Sequence, residues 1–177
     1  MWAPTAFTDI SELASAIRFR VVDAPRYIGI EGFMGSGKSS CGESLAGLLG
    51  GMLIDPDDYA ERDRPVGEYL AKLDLQRLAD DLGGAGKKFP FVFVTSICLR
   101  DIESAISVRM SSRVYVKGIA DSGLWHAGDS LKEYEEESIV PDDWIERCVL
   151  EYHARTRPHE NSDFYFEHPE LPADLPV

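Results

Sequence analysis

The 177-residue chain has little cysteine, few basic residues relative to acidic ones, and no long apolar run. Its cysteines, Cys41, Cys98 and Cys148, show no metal-ligand or redox spacing, so we expect reduced, packed thiols in a cytoplasmic protein. The net charge of −13 argues against nucleic acid and against an anionic membrane as partners. No segment approaches the roughly 18 apolar residues of a membrane span, and the N-terminus lacks the layout of a signal peptide. We therefore expect one soluble globular domain over residues 1–177.

One short segment carries most of the information in the chain. Residues 32–39 read Gly-Phe-Met-Gly-Ser-Gly-Lys-Ser and match the phosphate-loop pattern G-x-x-x-x-G-K-[ST]. The apolar run 27–30 before it is typical of a buried strand, and residues 39–49 after it are typical of a helix. A glycine-rich turn between strand and helix directs several backbone N–H groups toward one point above the positive end of the helix dipole. The sequence therefore predicts a nucleotide phosphate site in preference to a structural glycine turn.

The residues of this loop have distinct expected roles. Lys38 adds a mobile positive charge for the outer phosphates of ATP, and the Ser39 hydroxyl is a candidate ligand of Mg²⁺. The full set expected to contact the nucleotide is Gly32, Gly35, Ser36, Gly37, Lys38, Ser39 and Ser40.

Strand-like and helix-like segments alternate along the chain. Strands are expected at residues 27–30, 52–54, 89–94, 113–116 and 163–166. Helices are expected from Asp9, over 39–49, over 68–82 with the glycines 83–86 breaking it, over 101–110, and over 141–152. This alternation predicts a three-layer α/β/α fold of the P-loop NTPase type with a five-stranded parallel sheet. We interpret residues 118–140 as a mobile lid with a short solvated helix, and residues 168–177 as a loose tail.

Two aspartates follow the second predicted strand directly. The carboxyl ends of parallel strands share one edge of a sheet, so Asp55 and Asp57 should face the phosphate loop. Asp55 would then hold Mg²⁺ through water, and Asp57 would accept the proton of an acceptor hydroxyl. The alternative is a solvated turn, in which Asp and Pro are ordinary residues.

Four arginines are weaker candidates. Arg62 and Arg64 lie in the loop after the second strand, where they would contact an anionic or polyhydroxyl acceptor, or remain exposed charges without a specific role. Arg155 and Arg157 end the last long helix and are candidates for the phosphates, although basic residues at a helix end also suit the helix dipole.

On these residues the chain resembles the small P-loop kinases of metabolites. The loop 32–39 looks like that of shikimate kinases, and Asp55-Pro56-Asp57 is similar to their D-x-D motif, in which one Asp helps with the metal and the other contacts the acceptor. The overall layout is more similar to uridine kinase-like nucleoside and sugar kinases. Their acidic-aromatic motif after strand two implies an acceptor-binding role for Asp58 and Tyr59. The resemblance implies a kinase that uses ATP and Mg²⁺.

Two departures from these families keep alternatives open. Thr95 and Ser96 stand where these kinases usually carry a carboxylate, so Asp55 would serve the metal largely alone. Between Gly118 and Glu146 there is no arginine, although arginines at the transferring phosphate contribute ~10³-fold or more in rate. A catalytically silent ATP-binding module therefore stays open.

The leading interpretation is a kinase of a small nucleoside- or sugar-like acceptor, with a shikimate kinase-like acid kinase as the next alternative. A GTPase is excluded, because the only asparagine, Asn161, is followed by serine and cannot form an Asn-Lys-x-Asp motif. The sequence leaves the acceptor unidentified and does not decide between a monomer and a homodimer.

Overall fold

The fold is built on a six-stranded parallel sheet. The computed structural model describes residues 5–22, 25–61 and 68–169. The strands lie in the order β1-β6-β5-β2-β4-β3. Their bounds are β1 Thr5–Phe7, β2 Arg26–Glu31, β3 Met52–Ile54, β4 Phe91–Ser96, β5 Ser112–Ile119 and β6 Phe164–Pro169.

Helices cover both faces of this sheet. Their bounds are α1 Ile10–Arg20, α2 Lys38–Leu49, α3 Leu75–Lys88, α4 Leu99–Ile106, α5 Gly128–Glu135 and α6 Trp144–Thr156, with short 3₁₀ helices at Pro56–Tyr59 and Leu70–Lys72. One apolar cluster joins α1 and α2 to the sheet, and a second joins α3 and α4 to it. This arrangement confirms the predicted three-layer α/β/α architecture. None of the helices in the described ranges is both long and apolar enough to cross a membrane.

The sheet has six strands, so the predicted count of five was wrong. The additional strand, β1, has three residues and pairs with residues 164–166 of β6. The partner of this strand lies at the other end of the chain, so no local pattern links the two. The last strand is also longer than expected, because His168 and Pro169, predicted to begin a loose tail, belong to β6. The rest of that predicted tail, 170–177, lies outside the described residues.

Helix α1 begins where the sequence predicted. Asp9 Oδ1 accepts hydrogen bonds from the N–H groups of Ser11 and Glu12 at 2.7 and 3.1 Å, which satisfies two of the free donors of the first turn. Leu13 and Ile17, four residues apart, are fully buried against the sheet.

The third helix differs from its prediction at both ends. Helix α3 begins at Leu75, where Asp74 caps it, and continues through the glycines 83–86 to Lys88. Leu78, Leu82 and Ala85 form one buried stripe at i, i+4 and i+7. The packing of this stripe stabilises the helix beyond the glycines, where local propensity alone would end it.

The segment predicted as a lid packs against the body of the protein. Trp125 forms an antiparallel bridge with Ile119 at the end of β5. Helix α5 buries Leu131 within a third apolar cluster, which also contains Phe33, Ala127, Val149 and Leu150. The short helix therefore has one buried face, whereas the sequence predicted a solvated helix.

Candidate active site

The phosphate loop lies between the end of β2 and the start of α2, in the strand–turn–helix context that the motif requires. Gly35 and Gly37 have φ angles of 74° and 86°, in the left-handed region that favours glycine. A Cβ atom on Gly32 would lie 2.5 Å from the carbonyl oxygen of Val116 and 2.6 Å from Ser36 Oγ. Glycine at these positions is therefore required by the path of the loop.

The start of α2 presents free backbone donors. The first i→i−4 bond of this helix runs from Cys41 N to Gly37 O at 2.9 Å. The N–H groups of Lys38, Ser39 and Ser40 precede that bond and have no partner within the helix. Gly37 caps the helix without a side chain, and the first turn contains no acidic residue. These donors and the helix dipole together favour an anion at this point.

Lys38 is partly buried beside the loop. Its Nζ donates a hydrogen bond to the Phe33 carbonyl oxygen at 2.5 Å. Burial lowers the pKa of Lys38 to about 8, and the carboxylates of Asp57 and Asp55 oppose that decrease. Lys38 therefore stays mostly protonated at neutral pH and lies in the field of both aspartates.

A cavity of about 450 Å³ opens beside the loop, and we call it the phosphate-loop cavity. The loop, the end of β3, the end of β4 and the start of α6 all contribute to its wall. Its lining residues are Met34, Gly35, Lys38, Ser39, Asp55, Asp57, Ala60, Tyr69, Lys72, Leu73, Thr95, Ser96, Ile97, Trp144 and Ile145. The parallel sheet thus brings Lys38, Ser39, Asp55 and Asp57 to one cavity.

The two aspartates are held in different ways. Asp55 Oδ1 accepts a hydrogen bond from the Asp57 N–H at 3.0 Å, across the first turn of the 3₁₀ helix. Burial raises the pKa of Asp55, and the neighbouring Asp57 carboxylate acts in the same direction. Asp57 Oδ1 accepts a hydrogen bond from the Tyr69 hydroxyl at 2.6 Å. Within the described residues, Oδ2 of Asp57 accepts no hydrogen bond.

The residues present fit a magnesium ion held partly by water. No group of three or more His, Cys, Asp or Glu side chains in the described ranges could hold a metal. Mg²⁺, however, keeps several waters and is usually bound by one or two carboxylates together with substrate phosphates. Ser39 and Asp55 supply a hydroxyl and a carboxylate on one cavity wall. Thr95 lines the same cavity, and its buried Oγ1 has no hydrogen-bond partner of normal geometry among the described residues, although it lies close enough to the Asp55 carboxyl to lower the pKa of that group.

Other predicted loop residues lie in the same turn without lining the cavity. Gly32, Ser36 and Gly37 belong to the loop, and Ser40 is exposed on the first turn of α2. The buried Ser36 Oγ makes no hydrogen bond among the described residues, so it remains a donor for an anion in the loop.

Several predicted acceptor-side residues are not brought to this cavity. The Tyr59 hydroxyl donates to Asp81 Oδ2 at 2.8 Å, and its ring is buried in the cluster under α3. Asp58 is exposed and does not line the cavity. Arg62 and Arg64 lie outside the described residues.

The two candidate arginines at the end of α6 do not line the phosphate-loop cavity either. Arg155 Nη2 donates to Asp101 Oδ2 at 2.7 Å and lines a different cavity, of about 550 Å³, with Glu151. Arg157 pairs with Glu160 through two hydrogen bonds of 2.8 Å. Each guanidinium is thus engaged by a carboxylate away from the phosphate-loop cavity.

Two functional candidates escaped the sequence reasoning. Tyr69 reaches Asp57 because the chain folds back on itself, with Ala60 bridged to Leu73. Glu31, fully buried at the end of β2, accepts hydrogen bonds from Arg100 Nε at 3.3 Å and from the Tyr152 hydroxyl at 3.2 Å. Glu31 could have been noticed in the sequence, because it is a charged residue at the end of an apolar strand, directly before Gly32. No comparable sequence signal marks Tyr69.

The comparisons with known proteins concern the fold. The sequence matches no protein-family model, and no curated protein matches it significantly. Among solved structures, a possible uridine kinase from Bacillus stearothermophilus has a TM-score of 0.60 and 15% identity, over 89% of this chain and 96% of that chain. A sugar kinase from a Janibacter species has a TM-score of 0.44 and 14% identity, over 81% and 83% of the two chains. A shikimate kinase from Bacteroides thetaiotaomicron has a TM-score of 0.38 and 19% identity, over 80% and 85%.

At 15% identity the similarity to the uridine kinase structure shows the fold and nothing finer. The parallel sheet, the glycine-rich loop after β2 and the cavity at the carboxyl edge agree with that likeness. This chain has the fold of the P-loop small-molecule kinases.

Proposed function

We propose that the protein transfers the γ-phosphoryl group of ATP to a hydroxyl of a small metabolite, nucleoside- or sugar-like. The observation that carries this proposal is the shared cavity of Lys38, Ser39, Asp55 and Asp57. A phosphate cradle, a metal-binding carboxylate and a base for the acceptor hydroxyl are the parts that phosphoryl transfer needs. The cavity volume of about 450 Å³ suits a small molecule.

When bound, ATP supplies the phosphoryl group and Mg²⁺ neutralises part of its charge. The chain's own residues then have separate tasks. The N–H groups at the start of α2 and the Lys38 ammonium bind the phosphates, and Ser39 and Asp55 would hold the metal.

Asp57 is the expected proton acceptor. Tyr69 holds its Oδ1 through the 2.6 Å hydrogen bond, which fixes the carboxylate so that Oδ2 can accept the hydroxyl proton of the acceptor. The acceptor oxygen would then bond to the γ-phosphorus of ATP, while the bond from that phosphorus to the β–γ bridging oxygen breaks and ADP leaves. Tyr69 is therefore a positioning residue for Asp57.

A catalytically silent ATP-binding module is the second candidate, and a specific observation favours it. Thr95, in place of a carboxylate, provides only a neutral hydroxyl at the end of β4. In addition, no arginine is among the residues that line the cavity within the described ranges. Both features remove charge that usually stabilises phosphoryl transfer.

Two substitutions test the proposal together. We expect Lys38→Ala to weaken binding of ATP, measured by calorimetry, and Asp57→Asn to leave that binding within about threefold while lowering acceptor-dependent ADP release by about 10²-fold or more. Lys87→Ala, an exposed lysine of α3, is the matched control and should change neither quantity. Unchanged ATP affinity in Lys38→Ala would contradict the phosphate site. ATP binding without ADP release for any nucleoside, sugar or shikimate-like acid would favour the silent module.

A further inference from the structure

Among the described residues, a second lysine besides that of the phosphate loop lines the phosphate-loop cavity. Lys38 and Lys72 are the cationic residues among those that line it. Lys38 belongs to the phosphate loop, whereas Lys72 ends the 3₁₀ helix Leu70–Lys72. Lys72 therefore adds charge on the wall that the segment before α3 contributes.

The backbone fixes where Lys72 lies. The N–H of Glu61 donates to the Lys72 carbonyl oxygen at 2.8 Å, and the N–H of Lys72 donates to the Tyr69 carbonyl oxygen at 3.2 Å. Residues three apart in a 3₁₀ turn lie on the same side. Lys72 thus shares a side of this turn with Tyr69, whose hydroxyl holds the proton-accepting Asp57.

The side-chain ammonium of Lys72 lies over an aromatic ring. Its Nζ is 4.4 Å from the centroid of the Trp144 ring, at the start of α6. A cation over an aromatic face is stabilised by the ring quadrupole, but that contact uses none of the three ammonium N–H donors for a hydrogen bond to oxygen. Lys72 Nζ makes no hydrogen bond or ion pair with the described residues, so those donors remain for an oxygen atom in the cavity.

Lys72 shares the cavity lining with several apolar side chains. Leu73, Ile97, Trp144 and Ile145 line the same cavity, together with Tyr69. Apolar lining favours the face of a planar ring over a surface crowded with hydroxyl groups, because burying unpaired hydroxyl groups costs free energy.

We propose that Lys72 is a specificity-determining residue for the phosphoryl acceptor. It selects a ring-bearing acceptor that places a hydroxyl at Asp57 and a carbonyl or carboxylate oxygen at the Lys72 ammonium. Pyrimidine nucleosides and cyclic hydroxy acids share this chemistry, whereas a simple sugar has the hydroxyl groups but lacks the carbonyl or carboxylate oxygen. The inference rests on the proposed function, since it concerns the same cavity.

Binding measurements test this inference without requiring turnover. Uridine, shikimate and ribose are titrated by calorimetry into protein saturated with a non-hydrolysable ATP analogue and Mg²⁺. We expect uridine or shikimate to bind at least tenfold more tightly than ribose, and the probe that binds identifies the source of the oxygen. Lys72→Met keeps the apolar stem over Trp144 and should weaken that probe about tenfold, the loss of one charged hydrogen bond. Lys72→Arg should stay within about threefold.

Each contrary result has a distinct meaning. Any of three results would overturn the role of Lys72. The probe affinity is unchanged in Lys72→Met, ribose binds as tightly as the other probes, or neither uridine nor shikimate binds. Affinity for the ATP analogue is measured on the same samples. If wild-type protein fails to bind the analogue, the proposed function fails, whereas retained analogue binding confines the failure to Lys72. Lys88→Met, at an exposed lysine of α3, controls for loss of charge.

Discussion

At the scale of the single residue, two opposing effects set the pKa of Lys38. Burial lowers its pKa to about 8, and the carboxylates of Asp57 and Asp55 keep it from falling further. The ammonium is the form that binds phosphate, so the charge state of this residue sets the strength of the proposed nucleotide site.

This leads to a prediction about pH. Affinity for an ATP analogue should fall as pH rises from 7 to 9, because Lys38 loses its proton near pH 8. Bound phosphates stabilise the ammonium and raise its pKa, so the decrease should begin near the pKa of the free protein and level off only above the higher pKa of the complex. Calorimetric titrations at a series of pH values measure it. Lys38→Arg, which stays charged throughout, should remove most of the slope, and an equal slope in that variant would place the titrating group elsewhere.

Residues encoded by local pattern could be predicted from the sequence. Lys38 and Ser39 stand in a fixed motif, and Asp55 and Asp57 follow a strand whose carboxyl end must reach the same sheet edge. Tyr59 illustrates the converse, because its place beside two aspartates suggested an acceptor contact, yet its ring is buried under α3. Which side of a short 3₁₀ turn faces a cavity depends on packing that a single sequence does not encode locally.

The same distinction holds for whole elements. Long amphipathic helices such as α1 and apolar strands such as β4 were identified from periodicity and composition. The ends of helix α3 were not, because four residues with a high glycine content normally end a helix, and here the buried stripe of Leu78, Leu82 and Ala85 continues it. The antiparallel bridge between Ala60 and Leu73 joins two residues that no local sequence pattern connects.

The glycines of α3 give a prediction about stability. A Cβ atom on Gly83 or Gly84 would meet nothing within 4 Å. Alanine at either position should raise the free energy of unfolding by about 0.5–1 kcal/mol, because it lowers the conformational entropy of the unfolded chain. Gly86→Ala is the matched contrast, since its Cβ would collide with the Tyr27 hydroxyl, and it should destabilise. Urea titrations with an unchanged m-value measure all three. Destabilisation by the first two substitutions would mean that α3 is not a regular helix there.

Across the whole molecule, one side chain connects the phosphate loop to the segment beyond β5. Phe33 belongs to the loop but is only 7% exposed, within the cluster formed by α5 and α6. Its ring centroid lies 4.2 Å from that of His153 and 6.2 Å from that of Trp125. Burial lowers the pKa of His153 to about 3, so this contact involves a neutral imidazole at physiological pH. The phosphate loop and residues 118–140 therefore contribute to one apolar cluster.

We therefore expect nucleotide binding to change the local stability of α5 and α6. An ATP analogue should slow amide hydrogen exchange in residues 128–135 and 144–156 of the wild-type protein, because ordering the loop restrains Phe33 and the cluster around it. Phe33→Leu keeps part of the apolar volume and should cost about 1–2 kcal/mol of stability while reducing this protection. Phe33→Ala should cost about 3–5 kcal/mol.

The matched control for Phe33 is Leu124→Ala. Leu124 is 65% exposed in the same lid segment, so its loss should change stability by no more than about 0.5 kcal/mol and leave the exchange response intact. If the analogue does not slow exchange in α5 and α6 of the wild type, or slows it equally in Phe33→Leu, the cluster only stabilises the fold. Protection lost with Phe33→Leu at unchanged analogue saturation would instead show that the loop and α6 respond as one unit, since the loop itself makes no other buried aromatic contact with that helix among the described residues.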